Sequence, residues 1–243
     1  MRWLAFARRN AKEILRDPLT LAFGVGFPVV LILLLTLIQR NIPVPLFELD
    51  QLTPGVVVFG YSFLALFAAL LISKDRSTSF LLRLFSTPMT AADFILGYLL
   101  PMVPMAAVQC LFTYLVAAVL GLPLTVHALA AGALSLLTAV MFISLGLLLG
   151  TVLNDKQVGG VCGALLTNLS AWLSGTWFSL ALVGGWFEKI AFVLPFANGV
   201  ELGRAALAGQ YGSLTPYLWW CLGYAVVLTV AAVLVFRSRM RVK

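Results

Sequence analysis

The side chains able to do chemistry in this chain are few, and their spacing does not suit catalysis. His127 is the single histidine, near the start of an apolar run, with no serine–histidine or paired-carboxylate constellation around it. Cys110, Cys162 and Cys221 lie inside apolar segments without CxxC spacing, so they read as small core residues, with neither disulfide nor metal ligation implied. No G-x-x-x-x-G-K-[ST] loop occurs, so any nucleotide must be held elsewhere. The remaining polar constellation sits in "WFEKIAFVLPFANGVELGRAALAG", residues 186–209, where Glu188, Lys189, Glu201 and Arg204 interrupt an apolar stretch and Pro195 breaks it. Glu201 and Arg204, three apart, share a helix face and can pair.

The elements that position these groups follow from composition. The 243 residues are 62% hydrophobic and 10% charged, with a mean hydropathy of +1.04. A soluble domain is roughly 45–50% apolar and about 25% charged, so too few charges are present to cover this apolar content. The runs are continuous rather than alternating, which excludes a transmembrane β-barrel and leaves an all-α polytopic membrane protein. The net charge of +7 clusters beside apolar spans. It reads as a topology signal and a set of headgroup contacts, with no nucleic-acid partner. Nineteen residues precede the first apolar run and no small-x-small site follows it, so no cleavable signal is expected.

A spanning helix needs about 20 mostly apolar residues. Stretches at roughly 20–39, 53–73, 92–120, 126–150, 159–183 and 216–236 qualify, with 186–209 as a doubtful seventh. Six spans with both termini in the cytosol place every one of the 16 basic residues inside except Arg40, Lys189 and Arg204. Seven spans would put "RSRMRVK" outside, against the positive-inside bias, and would sink charges into lipid at about 2.5–3.5 kcal/mol for each central one. Segment 186–209 is therefore expected on the outer side. Pro195 splits it into 186–194 and about 197–208, each too short to cross alone. The two pieces suit either a hairpin dipping into the outer leaflet or one lying flat on it, and the re-entrant form is the expectation.

The first 18 residues carry Trp3, Leu4, Ala7, Ala11, Ile14 and Leu15 at helical spacing, with Arg8, Arg9, Lys12, Glu13 and Arg16 opposite. This pattern predicts an amphipathic helix in the cytosolic interface. In the loop after the second span, Ser77 or Thr78 can cap a short helix and Pro88 can stop it. Phe80, Leu81, Leu84 and Phe85 form an apolar patch on that helix. It is too short to span, so the patch needs a partner surface, either in the chain's own core or in a groove of another protein. Gly146 and Gly150, and Gly159 and Gly163, are GxxxG pairs that admit close helix approach; packing within the chain is favoured over a dimer seam. Gly24, Gly26 and Pro28, and Pro101 and Pro104, can kink their spans.

In this order the motifs "LLRLFSTPMTAADFILGYLL" and "LPFANGVELGRAAL" resemble those of the permease subunit of ABC-2 type (type V) ABC exporters. The resemblance covers essentially the whole chain, 1–243, as one transmembrane domain. It implies a coupling helix at 77–87 that docks on a separate cytosolic ATPase through Phe80, Leu81, Arg83, Leu84, Phe85 and Thr87. Arg83, Thr87, Pro88 and Gly97 stand where the family pattern has them. Leu82 replaces a common acidic residue, and Ser79-Phe80 replaces a glycine-threonine. The resemblance further implies an extracellular re-entrant hairpin at 186–209, with Pro195, Phe196, Glu201 and Arg204 as its gate residues. Two permease copies, or a pair of paralogous subunits, would meet near spans one and five. ATP and Mg would be bound by the ATPase, and this chain would carry no cofactor and no metal.

The expected function is ATP-driven export, across or out of the cytoplasmic (inner) membrane, of a lipid-like substrate, an amphipathic drug or a lipopeptide. No mid-span charge cluster suits an ion-coupled carrier. A non-transporting scaffold or immunity protein on the same fold is the alternative, followed by an intramembrane enzyme.

Overall fold

The computed structural model describes residues 2–84 and 86–241, and gives side-chain placements for these except Arg2, Ser79, Leu82, Arg83 and Arg241. Among the described residues no strand occurs. The helices are α1 (Arg2–Arg16), α2 (Pro18–Gln39), α3 (Leu49–Ser77), α4 (Ser79–Leu84), α5 (Ala91–Leu120), α6 (Val126–Val152), α7 (155–173), α8 (Gly185–Val193), α9 (Pro195–Leu207) and α10 (Leu214–Arg241). Segments α2, α3, α5, α6 and the α10 region are long and apolar enough to cross a bilayer. They run alternately up and down. The α1 end of the bundle holds Ser77, Ala91 and Val152, and the opposite end holds Leu49, Val126 and Leu207.

Helix α3 is the hub, with 83% of its apolar window buried against 22% for α2 and 17% for α10. Its enclosure comes from missing side chains on the neighbours. A Cβ at Gly146 would run into the Ala65 carbonyl oxygen, and one at Gly150 into that of Ala69. The backbones of α6 and α3 therefore touch, as in small-xxx-small packing between membrane helices. On the other flank Gly60 accommodates Pro28 of α2 and Gln109 of α5, whose amide donates to Val57 O at 3.0 Å.

Both α2 and α7 contain wide π-helical turns, Ala22–Gly26 and Gly159–Leu166. The first contains Gly24 and Gly26, and Pro28 follows it in the next α-helical turn. Pro101 and Pro104, by contrast, sit inside a continuous α5.

Three expectations need correction. The fifth apolar stretch, expected at 159–183, is continuously helical over 155–173, with one further 3₁₀ turn at Leu180–Leu182. Gly175 then adopts φ +70°, a left-handed conformation that ends a helix, and Gly184 and Gly185 repeat it at +61° and +59°. Residues 174–184 are apolar but largely irregular. The short helix expected over 77–87 is described over Ser79–Leu84, because Ser77 still belongs to α3 and the chain breaks at Thr78 in extended conformation. The glycine pairs also separate: Gly146 and Gly150 pack internally, whereas Gly159 has nothing nearby and Gly163 meets only the Leu66 methyls at 3.5 Å and beyond.

Candidate functional site

The α1 end is organised by a charge network that no spacing rule announced. Asp75, on the last turn of α3 and 3% exposed, accepts two hydrogen bonds from Arg9, Nη1 to Oδ2 at 2.6 Å and Nη2 to Oδ1 at 3.0 Å. The Tyr98 hydroxyl of α5 donates to the same carboxylate at 2.8 Å. Arg9 also pairs with Glu13 at 2.7 Å, and Lys74 approaches Glu13 at 3.7 Å. Burial works against the Arg9 charge, yet the bond and charge of Asp75, then the charge of Glu13, outweigh it and raise its pKa. Asn10, fully buried, donates to Gly97 O at 3.0 Å, and Phe6 fills the space left by the missing Gly97 side chain.

Helix α1 is thus docked on α3 and α5. The face packed against the protein is Phe6, Ala7, Asn10 and Ile14, while Leu4 and Leu15 of the expected interfacial stripe are 53% and 66% exposed.

Helix α4 leans on α1. Phe80 stacks with Phe6 at 6.4 Å between ring centroids, and the Arg9 guanidinium lies 4.3 Å from the Phe80 centroid. Leu81 is 2% exposed in the core and Leu84 is partly buried against it. Of the two partner surfaces expected for the apolar patch, the chain's own core and a groove of another protein, Leu81 and part of Phe80 meet the first. Thr87 turns its hydroxyl onto Leu84 O at 2.6 Å and closes the helix. The Arg83 side chain and Phe85, also expected at this site, lie outside the described residues.

Arg76 was not singled out by sequence. From the end of α3 it donates to the carbonyl oxygens of Gly150 at 2.7 Å and Leu153 at 3.2 Å, satisfying the open C-terminus of α6. Asp75 and Arg76 stand in "SKDRST", whose charges read as an ordinary loop flank.

At the opposite end, α8 and α9 form a pair bent by 82° at Leu194. Pro195 begins α9, where its missing N–H costs nothing, so the second arm starts two residues earlier than expected. Asn198 locks the corner, donating to Phe192 O at 2.8 Å and Leu194 O at 3.1 Å.

Both open ends of the pair lie at the same end of the bundle. Gly209 abuts His127, and Tyr211 hydrogen-bonds His127 Nδ1 at 2.7 Å. Phe187 stacks on Phe178, which tilts onto Trp172 at the end of α7. The corner lies deep: Phe196 meets Phe142, sixteen residues or about 24 Å along α6, and Tyr224 of α10 donates to Val193 O at 2.9 Å.

Arg204 pairs with Glu201 at 2.8 Å and donates to Gln51 O at 3.1 Å and Gly175 O at 2.8 Å. One guanidinium thereby ties α9 to the first turn of α3 and to the chain just after α7. Pro195, Phe196 and Asn198 are buried, as are most residues of α9. The expected gate residues are accordingly brought together on one wedge between α3, α6 and α10. His127 serves as the wedge's neighbour, and among the described residues no cluster of three His, Cys, Asp or Glu gathers to bind a metal.

These features define an integral membrane protein of all-helical, multi-span architecture. The family model described as ABC-2 type transporter matches residues 1–208, and the chain belongs to that family. It is the membrane component of an ABC transporter, of a kind that pairs with an ABC ATPase. No curated protein and no solved structure matches the chain.

Proposed function

We propose that the chain is the permease of an ATP-driven exporter in the cytoplasmic membrane, with the α1 end in the cytosol and the α8–α9 corner dipping into the membrane from outside. The observation that carries this reading is the asymmetry of the two ends. One is filled by α9, which Arg204 ties to its neighbours; the other bears a short helix, α4, braced on α1 and joined through Arg9 and Asp75 to α3 and α5. Force applied at α4 reaches two spans without crossing a flexible joint. The positive-inside bias supports the orientation. Helix α7, whose three segments of 4, 8 and 7 residues span about 28 Å, serves as the fifth crossing and α10 as the sixth.

Two permease copies, or one copy with a paralogous subunit, would meet along α2 and α7. These bare faces are apolar, with Leu33, Leu34 and Leu37 on α2 and Leu165, Leu169 and Trp172 on α7 exposed. Such walls suit a lipid-like substrate, an amphipathic drug or a lipopeptide. ATP and Mg would be held by the cytosolic ATPase, and the permease would catalyse nothing itself.

Co-expression with a candidate ATPase from a neighbouring reading frame, followed by reconstitution into proteoliposomes, tests the reading. The expected result is a stable complex whose ATP hydrolysis is stimulated by a lipid-like or lipopeptide substrate that also crosses or leaves the membrane. A complex that hydrolyses ATP without moving any amphiphile would favour the scaffold or immunity reading, and failure of any ATPase to associate would overturn both.

A further inference from the structure

A cleft of about 930 Å³ opens beneath α1, between it, the start of α2, and the adjoining ends of α3 and α5. That volume lies at the upper end of the range for small-molecule sites, about 300–1,000 Å³. Its lining is divided in character. Phe67, Leu71 and Met102, all buried residues, contribute apolar surface at the back. Arg8, Arg9, Lys12, Arg16 and Lys74 line it with charge, against the two carboxylates Glu13 and Asp17.

Those carboxylates are already engaged. Glu13 is paired with Arg9 and approached by Lys74, and Asp17 accepts from Leu19 N at 3.1 Å and from the Thr20 hydroxyl at 2.6 Å, capping α2. Arg9 is committed to Asp75. Arg8, Lys12 and Arg16 remain, exposed and without an ion pair among the described residues. They stand at i, i+4 and i+8, so they share one helix face, where like charges repel. Three stacked cations facing an apolar-backed cleft are compensated if an anion lies among them. Arginine and lysine together favour a phosphate, which offers several oxygens to forked and point donors at once.

We infer that this cleft binds an anionic amphiphile, with a phosphate headgroup held by Arg8, Lys12 and Arg16 and a hydrocarbon chain laid along Phe67, Leu71 and Met102. The shared chemistry has two sources, a resident bilayer lipid or a transported amphiphile. The inference deepens the permease reading, resting on it for the cytosolic placement of the cleft; binding itself is independent of an ATPase.

The test uses the purified full chain in phosphatidylcholine nanodiscs and a fluorescent phosphatidic acid, with fluorescent phosphatidylcholine and sodium phosphate as comparators. Phosphatidic acid is expected to bind at least about tenfold more tightly than either. The triple variant Arg8→Gln/Lys12→Gln/Arg16→Gln, which leaves the Arg9–Asp75 bond in place, should lose that advantage at an unchanged melting temperature. Leu70, half-buried, also lines the cleft beside Leu71, and Leu70→Trp should narrow it and weaken phosphatidic acid binding in a chain that keeps its cations. Equal binding of the two lipids, full competition by sodium phosphate at lipid concentrations, or unchanged affinity in both variants would overturn the site. If the triple variant unfolds, Leu70→Trp and the lipid comparison decide alone. With an ATPase present, release of the probe on ATP turnover identifies a transported amphiphile and retention identifies a resident lipid; either supports the site. Binding without ATPase coupling would sink the permease reading alone, and coupling without binding would sink the cleft alone.

Discussion

Arg9 and Asp75, 66 positions apart, meet through two hydrogen bonds of 2.6 and 3.0 Å, and Asp75 is buried while Arg9 keeps about a third of its side chain exposed. Breaking a fully buried pair costs about 3–5 kcal/mol; the exposure of Arg9 lowers the expectation to about 2 kcal/mol for Asp75→Ala. The double-mutant cycle with Arg9→Ala should give a coupling of at least about 1 kcal/mol in thermal or denaturant unfolding. Additive effects would mean that α1 is held by Phe6 and Asn10 alone.

Phe80→Ala removes both the stack on Phe6 and the seat of the Arg9 guanidinium, a loss of about 1–2 kcal/mol. The permease alone should melt lower, and ATPase recovery on co-purification should fall with it. A drop in recovery at unchanged melting would show that Phe80 touches the ATPase directly instead of bracing α4.

The two glycine pairs should behave oppositely. Gly146→Ala and Gly150→Ala drive a methyl into backbone carbonyls of α3 and should cost about 1–3 kcal/mol or more, seen as loss of folded protein from membranes. Gly159→Ala meets open space and should leave the isolated chain's stability unchanged, whereas Gly159→Leu should weaken association of two copies, read by crosslinking. Equal tolerance at Gly146 and Gly159 would contradict the packing described.

Arg204→Ala unpairs Glu201 and strands two carbonyl oxygens, and the Arg204 side chain is only 14% exposed. A loss of about 2–4 kcal/mol, or markedly impaired transport, is expected. Lys189 lies 5.2 Å from the Trp186 ring at the surface, so Lys189→Ala should cost no more than about 1 kcal/mol. Parity between the two in melting and transport would remove Arg204 from the gate.

Single cysteines at Ile190 and Met240 report the topology. Impermeant thiol labelling of intact cells should reach position 190 and not 240. The same sidedness for both would sink the proposed orientation.

Apolar length is a strong signal, so the long spans were legible, and so was the break at Pro195 together with the Glu201–Arg204 pair. Four features were hidden for physical reasons. An amphipathic helix looks alike whether its face meets lipid or protein, so the docking of α1 through Asn10 could not be told from a membrane-surface helix. Asp75 sits between Lys74 and Arg76, and only the fold shows that Arg9 reaches it from a distant segment. Residues 174–183 are as apolar as a helix, and hydropathy cannot distinguish a helical turn from an irregular one; the positive φ of Gly175 marks that difference. Sequence spacing likewise treated both glycine pairs as equals, since what they face depends on helix rotation.

Arg76, which caps α6, makes its bonds to Gly150 and Leu153 beside the glycines that press α6 onto α3. Backbone contact at one level and a guanidinium clasp at the next leave these two helices no room to slide or turn against each other. They form a stator. If the proposed permease alternates between opposed openings, the motion is left to the sparsely buried α2 and α10 and to α7; among the described residues α2 and α7 also carry wide π turns, irregularities frequent at functional sites.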